Sequence, residues 1–251
     1  RITNLKDFSI SFLARDHVIK MLTRYTIIND TDKILMVMRP YQVYATEAVL
    51  RRAIETDKGG FIWHTTGSGK TLTSFKCAQL LVKETKIKKV IFLVDRSDLD
   101  NKTIEDFNTY EKDCVDMTEH TGVLIKQLTS KDKLIVSTIQ KMAKAINTPR
   151  YKKDIEHLKD EKLIFIFDEC HRSQAGSMHT DIRKFFTNAQ YFGFTGTPID
   201  MKDKSTIEVF GKYIDIYDMT QAVEDGATRP VYYESRVIHL RLDENTLKLI
   251  D

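Results

Sequence analysis

The stretch GFIWHTTGSGKTLTSFKCAQLL, residues 60–81, constrains the fold more than any other. A short apolar run ends in a turn carrying Gly67 and Gly69 and passes at once into a helical pattern. A buried strand that feeds a helix in this way needs a layered architecture, with the helix packed back on a sheet. Four more runs have the same character: KVIFLVD (89–95), KLIVST (133–138), KLIFIFDE (162–169) and QYFGFTG (190–196). They are apolar almost throughout rather than alternating, as strands covered on both faces of a parallel sheet are. Helical spacing lies between them, with Ala45, Ala48 and Val49 in QVYATEAVLRRAI and Leu99, Thr103 and Phe107 in SDLDNKTIEDF. The expectation is an α/β fold, a parallel sheet sandwiched by helices, with the helix after the glycine turn running from Thr71 to Thr85.

The turn itself reads as a phosphate-binding loop. In such loops backbone N–H groups cradle phosphate oxygens, and the helix behind adds roughly +0.5 charge at its N-terminus. Gly67 and Gly69 let the backbone approach an anion without a Cβ in the way. The run Thr66, Gly67, Ser68, Gly69, Lys70, Thr71 would surround the phosphates, with Lys70 charging the β- and γ-positions and Thr71 offering a hydroxyl to Mg²⁺. The usual pattern GxxxxGK[ST] starts on glycine; here the first position is His64, which reads as a loop-packing residue.

A phosphate loop alone hydrolyses nothing. It needs a metal-holding acid and a group that orients water. IFIFDECH (164–171) supplies both. Asp168 ends a buried strand, at the edge where open α/β sheets bind ligands, and the 64–71 loop emerges at the same edge. Asp168 is therefore expected to share Mg²⁺ with Thr71, and Glu169 to orient and deprotonate the attacking water. Cys170 reads as a small packing residue, and His171 as a hydrogen-bonding link to neighbouring loops.

Composition bounds the rest. A chain of 251 residues, 41% of them hydrophobic, suits one large α/β domain or one domain plus an appendage. Residues 1–38 read as a preceding segment, with a helix around 10–25 and then the apolar run KILMVM; 39–228 as the main lobe; 229–251 as a connector or the start of another domain. PVYYESRVIHLRL (230–242) reads as an extended strand, and the charged NTPRYKKDIEHLKDEK (147–162) as a solvated helix or loop. A net charge of +3 neither demands nor excludes nucleic acid, because charge can be locally concentrated. Cys77, Cys114 and Cys170 show no metal-ligand spacing, as fits reduced thiols in the cytoplasm. No apolar run approaches the ~20 residues that span a bilayer, so no membrane partner is expected. The opening RITNLKDFSI carries neither methionine nor a signal-peptide pattern, and the chain reads as a piece of something longer.

HTTGSGKT, DECH and GFTGTP, in that order, resemble motifs I, II and III of superfamily-two helicases and translocases. Those motors have two RecA-like lobes, and this chain is similar to the first, a RecA-like P-loop NTPase. FLVDRSDLDNKT (92–103) and IVSTIQKM (135–142) resemble motifs Ia and Ib, which implies DNA contacts near Arg96, Ser97, Thr138 and Gln140. Contacts to phosphates carry position but no sequence information. RPYQVYA (39–45) resembles the upstream glutamine motif, which implies that Gln42 reads the adenine edge of ATP with Arg39 nearby. The third motif implies that Thr195, Gly196 and Thr197, with His171, pass the nucleotide state to the DNA side. The His-Thr-Thr opening, VDR, STIQKM, DECHRSQ, GFTGTPI and FGKYIDIYDMTQAVEDGATRPVYYESR (210–236) are together similar to the motor (restriction, R) subunit of type I restriction–modification enzymes, across residues 20–240. That resemblance implies ATP and Mg²⁺ as cofactors, double-stranded DNA as the track, and methyltransferase and specificity subunits as partners. Nothing resembles the nuclease core of whole R subunits, or motifs IV to VI with their arginine finger. An arginine finger is worth ~10³–10⁵ in rate, so the isolated chain is expected to bind ATP weakly and hydrolyse it poorly.

Other classes stay in view at this level. One is another superfamily-two motor, of type III restriction or DNA repair. A second is a nucleotide-gated module that binds DNA or partners without turnover, against which the intact Lys70, Asp168 and Glu169 argue. A P-loop kinase or GTPase fits less well, since DNKTI (100–104) has Ile104 where a GTPase base-reading motif needs an acid.

Overall fold

The computed structural model describes residues 4–29, 32–94, 120–173, 177–199, 205–230, 232 and 234. Two short helices, α1 (Leu5–Phe12) and α2 (Arg15–Arg24), lead into an antiparallel hairpin of β1 (Thr26–Asn29) and β2 (Ile34–Val37). Then come α3 (Pro40–Glu55), β3 (Gly60–His64), α4 (Lys70–Leu81), β4 (Lys89–Val94), α5 (Thr121–Thr129), β5 (Leu134–Thr138), α6 (Ile139–Asn147) and α7 (Pro149–Ile155). The remainder is β6 (Leu163–Phe167), α8 (Cys170–Ser173), α9 (Ser177–Phe185), β7 (Gln190–Thr195), α10 (Thr206–Phe210), β8 (Tyr213–Tyr217) and α11 (Met219–Glu224).

Strands β3 to β8 form one parallel sheet in the order β5-β4-β6-β7-β3-β8. β3 and β4 follow each other in the chain, yet β6 and β7 lie between them in the sheet. The loops after β6, β7 and β3 therefore leave neighbouring positions on one carboxyl edge, the location of ligand sites in open α/β sheets.

The sheet separates two apolar clusters. On β6, Ile164 and Ile166 face one, and Leu163, Phe165 and Phe167 face the other. β4 divides likewise, Val90, Phe92 and Val94 against Ile91 and Leu93. Both alternate sets are buried, and that is why the runs are apolar throughout. α3 and α4 cover the first face with stripes such as Ala45, Val49 and Ala53, spaced by one helical turn. α5, α6 and α9 cover the second with Leu124, Met142 and Ile182. Each large side chain so buried contributes about 1.5–3 kcal/mol. At the start of β4 the buried Lys89 donates to the carbonyls of Gln127, Ser130 and Asp132 at 3.2, 2.9 and 2.6 Å. Those bonds satisfy an ammonium that burial would otherwise penalise.

The five expected strands all form. β8 escapes a reading by apolar runs, because YIDIY is an edge strand with Asp215 at its centre and only Tyr217 buried. The helix expected over 10–25 is two helices. Ala14 takes an extended ψ of 133°, and Phe12 packs on both Phe8 and His17 at ring separations of 4.9 and 5.2 Å, folding α2 back on α1. KILMVM supplies β2. α4 stops at Leu81 instead of Thr85, because Lys83 and Glu84 donate to Leu80 and Leu81 in tighter three-residue turns. In 147–162 Lys152, Lys153 and Lys159 are exposed, while Ile155 and Leu158 are buried in the second cluster. SDLDNKTIEDF, Cys114 and nearly all of PVYYESRVIHLRL lie outside the described residues. Among the described residues no helix is long and apolar enough to cross a membrane.

Candidate functional site

The glycine turn joins β3 to α4. Gly67 and Gly69 have φ of 83° and 77°, and Gly69 caps α4. An L-residue there would carry the left-handed penalty of about 1–2 kcal/mol. The Ser68 hydroxyl donates to the Thr65 carbonyl at 2.6 Å, and Thr66 is exposed. Two side chains of α3 brace the turn. Tyr41 Oη donates to the Ser68 carbonyl at 2.8 Å, and Gln42 Nε2 donates to the same oxygen at 3.0 Å and to the Gly69 carbonyl at 3.5 Å. Gln42 Oε1 accepts from the backbone N–H of Arg39 at 2.8 Å. Both ends of the Gln42 amide are thus engaged within the chain, one on the loop and one on the start of α3.

The loop after β6 meets this turn. Thr71 Oγ1 donates to Asp168 Oδ2 at 3.0 Å, and Lys70 Nζ lies 3.4 Å from Glu169 Oε1. Lys70 and Asp168 are both buried. Burial pushes the Asp168 carboxyl up to about 6; the neighbouring Glu169 charge adds to the rise, and Thr71, the Glu169 backbone N–H and Lys70 oppose it. A buried carboxylate held against its own charge invites a cation, and a hydroxyl beside it completes an oxygen pair of the kind Mg²⁺ takes together with substrate phosphates. Glu169 has a φ of 44°, the left-handed region, which is a strained conformation for a non-glycine residue.

The third loop, after β7, closes the cluster. His171 Nδ1 lies 2.9 Å from Thr195 Oγ1 and 3.4 Å from Glu169 Oε2, and the Thr197 N–H donates to Thr195 Oγ1 at 3.1 Å. A Cβ on Gly196 would stand 3.1 Å from Lys70 Nζ. Cys170 is fully buried, with its Sγ against Gly193. His64 is fully buried too; its Nε2 sits 2.8 Å from Asp215 Oδ2 on β8.

The structure thus brings together Lys70, Thr71, Asp168, Glu169, His171, Thr195, Gly196 and Thr197. Thr138 and Gln140 stand apart, at the carboxyl end of edge strand β5, where the buried Thr138 accepts from the Lys141 N–H at 3.2 Å and caps α6. Arg96 and Ser97 lie outside the described residues.

The sequence profile of SWI2/SNF2 ATPases matches residues 41–251. The chain belongs to the SWI2/SNF2 ATPase family. Relatives of this ATPase chain include the type I restriction enzyme SsaAORF53P endonuclease subunit of Staphylococcus saprophyticus, 49% identical over 259 residues that cover 100% of this chain and 28% of that protein. Another is the C-terminal part of the putative type I restriction enzyme MpnIIP endonuclease of Mycoplasma pneumoniae, 40% identical over 199 residues, 74% of this chain and 96% of that one. The chain therefore spans little more than a quarter of the first of these relatives. Among solved structures, the UvsW helicase from bacteriophage T4 has a TM-score of 0.56 at 18% identity, over 80% of this chain and 67% of that one. The ATP-dependent Type ISP restriction-modification enzyme LlaBIII bound to DNA has a TM-score of 0.54 at 18% identity, over 78% of this chain and 16% of that one. At such identities the likeness establishes the fold, a RecA-like parallel sheet.

Several residues of this SWI2/SNF2 lobe that support the site were not singled out from sequence. They are Tyr41, which stacks on Tyr217 with ring centroids 3.8 Å apart, Asp215, and Trp63, whose Nε1 donates to the Gly196 carbonyl at 3.2 Å. The signal available for Trp63 was its chemistry: an indole in a buried strand needs an acceptor for its N–H.

Proposed function

We propose that this chain is the ATP-binding and ATP-hydrolysing first motor lobe of a DNA translocase, within the R subunit of a type I restriction endonuclease. The observation that carries the proposal is the meeting of Lys70 with Glu169 and of Thr71 with Asp168, at 3.4 and 3.0 Å, on one edge of the sheet. The 66–71 loop holds the triphosphate, and Lys70 leaves Glu169 to pair with the β- and γ-phosphates. Bound Mg²⁺ would supply charge neutralisation of the phosphates; Thr71 and Asp168 would hold it. Glu169 takes the proton of the attacking water, and its second oxygen stays near His171. His171 and Thr195 carry the change of state to the third loop, Thr195 to Thr197. Gln42 braces the loop and accepts from the Arg39 N–H; in this reading the adenine sits by these two residues, and Gln42 releases one of its two bonds to read the base. Arg96, Ser97, Thr138 and Gln140 remain the proposed backbone contacts to double-stranded DNA. Methyltransferase and specificity subunits complete the enzyme in the cytoplasm, and the arginine that speeds turnover comes from a second lobe.

The experiment is a pair of substitutions in the full-length subunit, assembled with its partners. Glu169→Gln keeps nucleotide affinity and stops DNA-stimulated phosphate release; unchanged release removes Glu169 as the base. Lys70→Ala weakens nucleotide binding itself; undiminished affinity would mean that the loop does not hold phosphates.

A further inference from the structure

Trp63 is the next-to-last residue of β3 and the chain's only tryptophan. Its register partner in the sheet is Thr195 on β7. From a half-buried position its indole N–H donates to the carbonyl oxygen of the following residue, Gly196, at 3.2 Å. An indole offers one donor in one direction and no acceptor, so this bond fixes a particular peptide of the third loop. Gly196 is also the point at which that loop borders the phosphate-loop lysine. A Cβ there would lie 3.1 Å from Lys70 Nζ, 3.1 Å from Thr66 Oγ1 and 3.3 Å from the His64 carbonyl oxygen. The same peptide is therefore tied to the strand that carries the phosphate loop and bounded by the group that meets the γ-phosphate.

In this structure the Lys70 ammonium stands 3.4 Å from Glu169 Oε1. A third phosphate would compete with Glu169 for that ammonium, since phosphate oxygens accept strong charge-assisted bonds. Gly196 has no side chain, so its backbone is what a displaced Lys70 would approach or leave, and a close-packed interior transmits such shifts. We propose that Trp63 is a positioning residue that registers the Thr195–Thr197 loop against Lys70, so that the geometry of the indole bond depends on whether a third phosphate is bound. This rests on the nucleotide reading given above.

Labelling the chain with ¹⁵N-tryptophan gives one indole N–H resonance, which is followed during titration with Mg²⁺–ADP and with the Mg²⁺ complex of a non-hydrolysable β,γ-imido ATP analogue. Calorimetry measures binding of each nucleotide separately. The expected result is a resonance that keeps its position with ADP and moves with the analogue. A resonance that stays still, or that moves equally with both nucleotides while calorimetry records binding, overturns the role of Trp63 and leaves the nucleotide site standing. Absence of binding of either nucleotide even at millimolar concentration overturns the nucleotide reading itself, and the proposal falls with it.

Discussion

Thr71 Oγ1 donates to Asp168 Oδ2 across 3.0 Å, joining the first turn of α4 to the loop after β6, 97 residues on in the chain. The acceptor is a buried carboxylate whose pKa is pushed up to about 6, by burial first and by the Glu169 charge second. A divalent cation beside these two oxygens would relieve the cost of ionising Asp168. Asp168→Asn keeps the shape and removes the charge. The expected outcome is loss of about 10–100-fold in the Mg²⁺ enhancement of nucleotide affinity, with affinity in EDTA no lower than that of the wild type. Calorimetric titrations with and without Mg²⁺ check this, and an enhancement equal to that of the wild type would remove Asp168 from the cation site.

Gly67 and Gly69 share the left-handed conformation and differ in surroundings. A Cβ at Gly67 meets nothing within 4 Å, whereas one at Gly69 lies 2.7 Å from Gln42 Nε2. Gly67→Ala should therefore cost only the conformational penalty, about 1–2 kcal/mol of stability. Gly69→Ala should cost more, because the Gln42 amide must leave the Ser68 carbonyl. Gln42→Ala introduced beside Gly69→Ala should recover part of the difference. Urea denaturation of the four chains measures this, and equal costs at the two glycines would refute the steric account.

What could be read from the chain follows from burial. The five expected strands announce themselves because both faces are covered, so their positions are apolar almost throughout. Lys70 and Asp168 could be placed at one edge because each follows such a run. Asp215 could not be paired with His64, 151 residues away, because their meeting depends on β8 joining the sheet beside β3, and an edge strand with a central aspartate gives no apolar signal. The engagement of Gln42 was legible but unread: positions 42, 45, 46 and 49 form the buried stripe of α3, so helical spacing alone turns this amide towards the interior.

The His64–Asp215 pair ties the base of the phosphate loop to β8. His64 is fully buried, its Nε2 meets Asp215 Oδ2 at 2.8 Å, and its Nδ1 has no hydrogen-bond partner among the described residues. Asp215→Ala strands both ring nitrogens in the interior, for an expected loss of about 1–3 kcal/mol. Replacing both partners, His64→Leu with Asp215→Ala, should cost less than the single change, because no buried polar group is left unpaired. Thermal and urea unfolding of the two variants decide between this and a surface pair of no consequence, for which Asp215→Ala would be neutral.

His179 on α9, in the apolar cluster behind β6, supplies a pH prediction. Its ring is buried between Phe167 and Phe210, with centroids 4.9 and 5.1 Å away, and Nε2 finds no partner among the described residues. Burial, and secondarily the Arg183 charge, depress its pKa from 6.5 to about 4. Above pH 6.5 the imidazole is neutral in both folded and unfolded chains, and its contribution is fully present. As pH falls below 6.5 the unfolded chain takes up the proton and the folded chain does not, so stability is lost until the folded ring also protonates near pH 4. The loss attributable to this residue is about 3 kcal/mol at most. Carboxylates titrate at the lower end of the same window, so the quantity to follow is the stability of the wild type minus that of His179→Leu. Urea denaturation at pH 7, 5.5 and 4.5 should show this difference falling steadily towards acid. A difference that stays flat would mean that the imidazole can accept a proton inside the fold.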